Sequence, residues 1–372
     1  MFSSASILYF VLIGLGLSGA FLCTALCRTF ISLSFLPNHE DERTSHRGTV
    51  SRAGGIAIHV SFIVAALLGL WLSRVGVGSD YGVLVVMTGA MALIGLIDDA
   101  ATISPGMKFI GQIVLSVAFV LLTGPIETMP LPVLGTTDLG IMGYAVAILW
   151  VAAFVNVYNF MDGLNGMAAG TALIALIVLC LVGAFGGNLP LFLVSLMMVM
   201  SLFAFFIINF PAGNIFMGDA GSLGTGFFIA GLALLAAQPS TGGASFPVTL
   251  VPMIFLPFIL DVSITLIRRV LTGRRFYRAH REHYYQRLNQ AGWSHANVTR
   301  LFMVAAIFSA AAGWLITQIP GPMEWMGALA LALVLIVSAR IIRVRAWRGQ
   351  RRAQEEESPA ASERQEAPAS AE

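Results

Sequence analysis

The sequence predicts an all-α, polytopic membrane protein of about eleven transmembrane helices, with the N-terminus outside and the C-terminus cytoplasmic. Three observations carry this. Hydrophobic residues make up 57% of the 372 positions and charged residues only 11%, where a soluble domain carries about 25% charged residues. Mean hydropathy is +0.84, so lipid must be the solvent for much of the chain. The basic residues, finally, fall almost entirely on one set of connecting segments.

A bilayer core about 30 Å thick needs about 20 apolar residues in a helix. Runs that meet or approach this lie at 6–27, 56–73, 82–97, 109–123, 141–157, 167–185, 190–208, 223–238, 246–267, 301–318 and 324–340. The shorter ones suit helices packed against protein rather than lipid. The first run has no basic residue before it and is of spanning length, so it reads as a retained helix rather than a cleaved signal. Alternating sides place 20 of the 21 Lys and Arg residues in one set of loops plus the C-terminal tail, Arg74 being the exception. The positive-inside rule makes that set cytoplasmic. Residues 1–348 form one membrane domain. Residues 349–372, rich in Ala, Glu, Ser, Pro and Gln, are expected to be a disordered tail. Cys23, Cys27 and Cys180 each lie in an apolar run and read as small buried hydrophobes.

Polar clusters punctuate the cytoplasmic side. Asp98-Asp99 closes the third span, where the helix dipole disfavours negative charge. Acids at membrane depth are costly and mark metal or proton-transfer sites. Lys108, the sole lysine, opens the next span and can snorkel to the interface or meet a phosphate. The segment from Asn156 through Asn159 and Asp162 to Asn165-Gly166 follows. Turns explain Asp-Gly and Asn-Gly, but not two asparagines on one helical face. Asn209 to Ser222, with Phe216-Met-Gly-Asp219-Ala-Gly-Ser, surrounds an acid with glycines at a helix start. That suits a phosphate or metal-phosphate site, and capping alone also suits it. No Walker-type phosphate loop is present. The longest inner loop, 268–300, carries Arg274, Arg275, Arg278, His280, Arg281, His283, Tyr284, Tyr285 and Arg287. It reads as a lipid-facing basic stretch or as a diphosphate clamp. A weaker basic segment, His46 to Gly55, enters the second span. Asp261 lies inside the ninth span and is expected to face the bundle interior, with Pro252 and Pro257 kinking that helix.

Together, over about residues 43–290, these segments resemble the polyprenyl-phosphate N-acetylhexosamine-1-phosphate transferases, glycosyltransferase family 4. Asp98-Asp99, Asn156–Gly166 and Phe216–Ser222 match that family in order, spacing and membrane side. The resemblance implies transfer of a sugar 1-phosphate from a UDP-N-acetylhexosamine to polyprenyl (undecaprenyl) phosphate, with release of UMP. It also implies Mg²⁺ or Mn²⁺, an active site at the cytoplasmic face of the bacterial inner membrane, and room for a homodimer, with no nucleic-acid partner. By the same resemblance Asp219 ligates the metal with Asn159. Asp98, supported by Asp99, is the base toward the lipid phosphate. Asn165 and Phe216 contact uracil, and Asn209 stands near the diphosphate. His280, Arg281 and His283 clamp diphosphate and sugar. Lys108 and Asn156 are substrate-side candidates from the residue reading itself. The last loop reads Ala-His280-Arg-Glu-His283 rather than consecutive histidines. This favours the branch that starts O-antigen over the phospho-MurNAc-pentapeptide transferase of peptidoglycan synthesis. Val50 and Ala53 depart from relatives, which often have Pro and Gly there. Direct attack by the lipid phosphate is favoured over a covalent aspartyl intermediate. A secondary transporter or lipid flippase is the alternative from another class, but its site belongs near the midplane.

Overall fold

The computed structural model describes residues 4–37, 50–132, 134–238, 246–275, 280–319 and 321–365. Residues 46–49 of the basic entry segment and Arg278 lie outside this set. The helices are α1 (Ser4–Ser32), α2 (Gly54–Leu72), α3 (Asp80–Ala101), α4 (Pro105–Thr123), α5 (Met142–Phe160), α6 (Met167–Phe185), α7 (Leu189–Asn209), α8 (Gly218–Ala237), α9 (Leu250–Ile254), α10 (Leu256–Leu271), α11 (Tyr284–Gln290), α12 (His295–Ile316) and α13 (Pro322–Gln365). Among the described residues, ten helices are long and apolar enough to cross a membrane. The remaining expected span, 246–267, is present as two pieces, α9 and α10, broken at Phe255. Pro257 in the first turn of α10 supplies no N–H and sets the new start.

Local signals set the helix ends. Ser79 accepts from Gly82 N to cap α3, Ser104 caps α4 ahead of Pro105, Asn188 caps α7, and Ser294 caps α12. Between α4 and α5 a two-stranded antiparallel hairpin, β1 (Thr128–Leu131) and β2 (Gly135–Asp138), pairs Thr128 with Asp138. Trp325 of α13 donates to Pro130 O at 2.6 Å, fastening the hairpin to that helix. α13 continues to Gln365, through most of the segment expected to be disordered. Ala, Glu, Arg and Gln are strong helix formers, so local propensity accounts for the extension.

α8 is the central helix, with seventeen of its twenty residues buried among α2, α3, α5 and α6. Small residues allow this. A Cβ on Gly55 would lie 2.0 Å from Gly221 N, and one on Gly95 would lie 2.2 Å from Asp219 O. α3 and α8 therefore meet backbone to backbone, which is how small residues bring membrane helices together. The close approach places the last turn of α3 against the first turn of α8.

This geometry makes a stability prediction. Gly95→Ala should cost about 1–3 kcal/mol by overpacking. Gly106→Ala, where a Cβ meets open space, should leave the thermal midpoint in detergent unchanged. Equal midpoints for both variants would contradict the close approach.

Candidate active site

One end of the bundle gathers the polar clusters. Asp99, in the last turn of α3, accepts from Asp219 N at 3.0 Å and Ala220 N at 2.9 Å. α8 has no side-chain cap of its own, so a carboxylate from a neighbouring helix fills that role. The placement also answers the expected conflict at the end of α3, because a negative charge at a helix N-terminus is favourable. Asp98 turns the other way. Its Oδ1 accepts from Ile103 N at 2.9 Å and its Oδ2 from Lys108 Nζ at 2.8 Å. Lys108 also bonds Asp219 Oδ2 at 2.6 Å. Asn159, in the last turn of α5, donates to Asp219 Oδ1 at 3.1 Å and to Ser222 Oγ at 2.7 Å. Asp98, Asp99, Lys108, Asn159 and Asp219 thus form one connected network, built from four helices and 121 residues of sequence separation.

The surrounding residues hold this network in place. Asn156 donates to Gln112 Oε1 at 2.6 Å, tying α5 to α4. Asn209, 4% exposed, accepts from Gly166 N at 2.5 Å and donates to Ile215 O at 2.7 Å. Each end of its amide bonds backbone, so it pins the 209–217 loop to the start of α6. Asn165 is buried, donates to Pro211 O, and its backbone carbonyl accepts from Thr299. Phe216 is half-buried, and its backbone bonds Ser51 O and Gly54 N. The entry to α2 is thereby joined to the start of α8.

The 268–300 loop reaches the same end by a second acid. Asp261, buried in α10, accepts from His283 Nδ1 at 3.2 Å, Tyr284 N at 2.8 Å and Tyr285 N at 3.2 Å. It orients His283 and caps α11. The ring of His283 stacks on Phe160 and Tyr285, with His280 4.8 Å away, and Tyr285 OH donates to Phe160 O at 3.3 Å. The histidines therefore stand beside the loop that follows Asn159. His280 Nδ1 is buried and has no hydrogen-bond partner among the described residues. Burial, with the charges of His283 and Arg269 behind it, lowers its pKa to about 4, so the ring is neutral at pH 7. Arg281 is exposed. Arg269 and Arg274 both bond Glu282 Oε1, at 2.5 and 2.8 Å, and Arg287 lies 3.8 Å from its other oxygen.

Two acids at this end take no site role from the sequence: Glu282, and Asp162, which a turn explains. Glu282 organises the arginines but sits in a basic run that gives no motif. Asp162 is set apart by its environment: burial, then the charges of Asp219 and Asp99, raise its pKa from 3.8 to about 7. Hard oxygen donors dominate the network: Lys108 bridges the carboxylates of Asp98 and Asp219, and the Asn159 amide lies beside Asp219. That set suits Mg²⁺, which is commonly held by one or two carboxylates plus substrate phosphates. Among the described residues no three His, Cys, Asp or Glu side chains close a metal site by themselves.

The family model described as Glycosyl transferase family 4 matches residues 81–237, from α3 through α8. A decaprenyl-phosphate N-acetylglucosaminephosphotransferase of Mycobacterium tuberculosis is 31% identical over 283 residues, covering 69% of this chain and 70% of that protein. The chain belongs to glycosyl transferase family 4. This family-4 protein is also 29% identical over 305 residues, 81% of each chain, to a probable undecaprenyl-phosphate N-acetylglucosaminyl 1-phosphate transferase of Bacillus subtilis. A phospho-N-acetylmuramoyl-pentapeptide-transferase of Staphylococcus carnosus is 25% identical over 281 residues, 70% of this chain and 83% of that one. The family-4 chain is a multi-pass membrane phosphoglycosyltransferase.

A pH test follows from Asp162. Its folded pKa lies above its unfolded value, so it holds its proton more tightly when folded. Stability is then full below about pH 4 and is lost as pH rises to about 7. With metal chelated, Asp162→Asn should gain thermal stability relative to wild type on going from pH 5 to pH 8. A constant difference between the two proteins would contradict the half-buried, charge-crowded placement.

Proposed function

We propose that this enzyme transfers an N-acetylhexosamine 1-phosphate from a UDP-sugar to a polyprenyl phosphate at the cytoplasmic face of the bacterial inner membrane, releasing UMP. The names of its relatives support the reaction type. The observation that carries it is the charge balance at the site. Asp98, Asp99, Asp162 and Asp219 gather at one end of the bundle with Lys108 as the cation bonded to two of them. A diphosphate cannot approach such a surface without further positive charge. Asp219 and Asn159 would hold Mg²⁺ or Mn²⁺, which supplies the neutralisation of diphosphate and leaving UMP.

The chain's own residues do the rest. Lys108 exchanges a carboxylate for a phosphate oxygen and gives a point charge to the transferring group. Asp98, freed from that ion pair, accepts the proton of the lipid phosphate, whose oxygen attacks the sugar-linked phosphorus. Asp99 keeps α8, and with it Asp219, in register. Phe216 and Asn165 line the uracil side, while His283, oriented by Asp261, and Arg281 face the sugar diphosphate. Neutral His280 adds a hydrogen-bonding group without charge. The isolated histidines of this loop support a simple UDP-N-acetylhexosamine donor over a muramyl-pentapeptide one. The product would start a lipid-linked surface glycan such as O-antigen. Residues 1–348 constitute the membrane transferase and residues 349–372 an appended tail.

With UDP-N-acetylglucosamine and undecaprenyl phosphate, purified Asp219→Ala and Asp98→Asn should each release UMP about 100-fold more slowly than wild type, or slower still. Both should still insert and elute as folded protein. Chelation should stop the wild-type reaction and Mg²⁺ should restore it. Near-normal turnover of Asp219→Ala would refute the metal assignment.

A further inference from the structure

We propose that a groove between α10, α12 and α13 binds an anionic membrane phospholipid, with its phosphate held by Arg268, Arg287, Arg340 and Arg343. The groove encloses about 300 Å³ and those four arginines are among its lining residues. Its remaining walls are largely apolar, with Ile264 from α10, Leu301 and Phe302 from α12, and Ile336 from α13. From Pro257 to Arg268 the lining of α10 covers about 16 Å at helical rise, close to half of a bilayer core about 30 Å thick. An apolar slot one leaflet deep that ends in a cluster of guanidinium groups matches an acyl chain beneath a phosphate.

Three of the four charges of the cluster have no counter-ion among the described residues. Arg268, Arg340 and Arg343 make no ion pair there. Of the two acids in the wall, Glu282 is shared among Arg269, Arg274 and, at 3.8 Å, Arg287, and Asp261 holds His283 and the first amides of α11. Burial, then the like charges of Arg268 and Arg343, depress the pKa of Arg287. Such crowding is unfavourable unless an anion occupies the space between. Arginine's planar fork suits a phosphate.

The occupant is distinct from the transferase's lipid substrate. Tyr284 closes the groove on the side of α11 by donating to Ala339 O at 3.0 Å. Beyond it, His283 and Tyr285 pack on Phe160. A phosphate in the groove is therefore screened from Asp98 and Asp219, which a reacting acceptor must reach. The site is one for a resident lipid that joins α13 to the bundle.

The test uses purified full-length protein in nanodiscs of phosphatidylcholine alone, or of phosphatidylcholine and phosphatidylglycerol in equal parts. Wild type, the double variant Arg340→Gln/Arg343→Gln and the groove-filling variant Ala305→Phe are compared. Wild type should melt several degrees higher with phosphatidylglycerol and retain one molecule of it in native mass spectrometry. The arginine variant should lose about tenfold or more in retention. Ala305→Phe, which leaves the charges intact, should lose it too. Excess undecaprenyl phosphate should not displace the lipid. Equal retention in all three proteins would overturn the proposal, and displacement by undecaprenyl phosphate would reassign the groove to the acceptor. If the arginine variant does not fold, Ala305→Phe decides the outcome alone.

Discussion

The pair of bonds from the Asp219 and Ala220 amides, in the first turn of α8, to the Asp99 carboxylate is the constraint on which the site depends. It joins the end of one spanning helix to the beginning of another, and it works only because the two backbones touch at Gly95. A helix that starts inside a packed bundle leaves amides with no water to meet, and each would be costly to abandon. Asp99 satisfies two of them and in doing so aims Asp219 at Lys108 and Asn159. Of two adjacent acids, one is structural by contact and the other faces the open side of the network.

The same device recurs at α11. Asp261 accepts the amides of Tyr284 and Tyr285 and also orients a histidine. In both places a carboxylate from one helix builds the start of another and fixes the position of a polar side chain there. Buried acids in a membrane protein are costly. Here capping offsets that cost and sets the neighbour's geometry.

Much of this was legible in the sequence, for identifiable reasons. Spans read well because lipid demands long apolar runs. The Asp98-Asp99, Asn159 and Asp219 segments stood out because polar groups at membrane depth have no bland explanation in combination. Other features left no such trace. The hairpin at 128–138 contains Pro130 and has no clear alternation. The break at Phe255 was visible only as two prolines. The backbone bonds at both ends of the Asn209 amide depend on the fold around it and leave no mark in the sequence. Glu282 and Asp162 matter through what surrounds them, which one-dimensional patterns do not encode.

The burial of α8 carries a consequence for how the molecule is made. Its sequence holds four glycines after the starting one, a composition that weakens a helix standing alone. It gains its order from a slot whose walls, α2, α3 and α5, leave the ribosome earlier. Asp219 is thus held in place only once those walls have closed around it. A chain with a misplaced helix would leave the Asp98, Lys108, Asn159 and Asp219 network unjoined, so this polar centre is a late product of the molecule's own assembly.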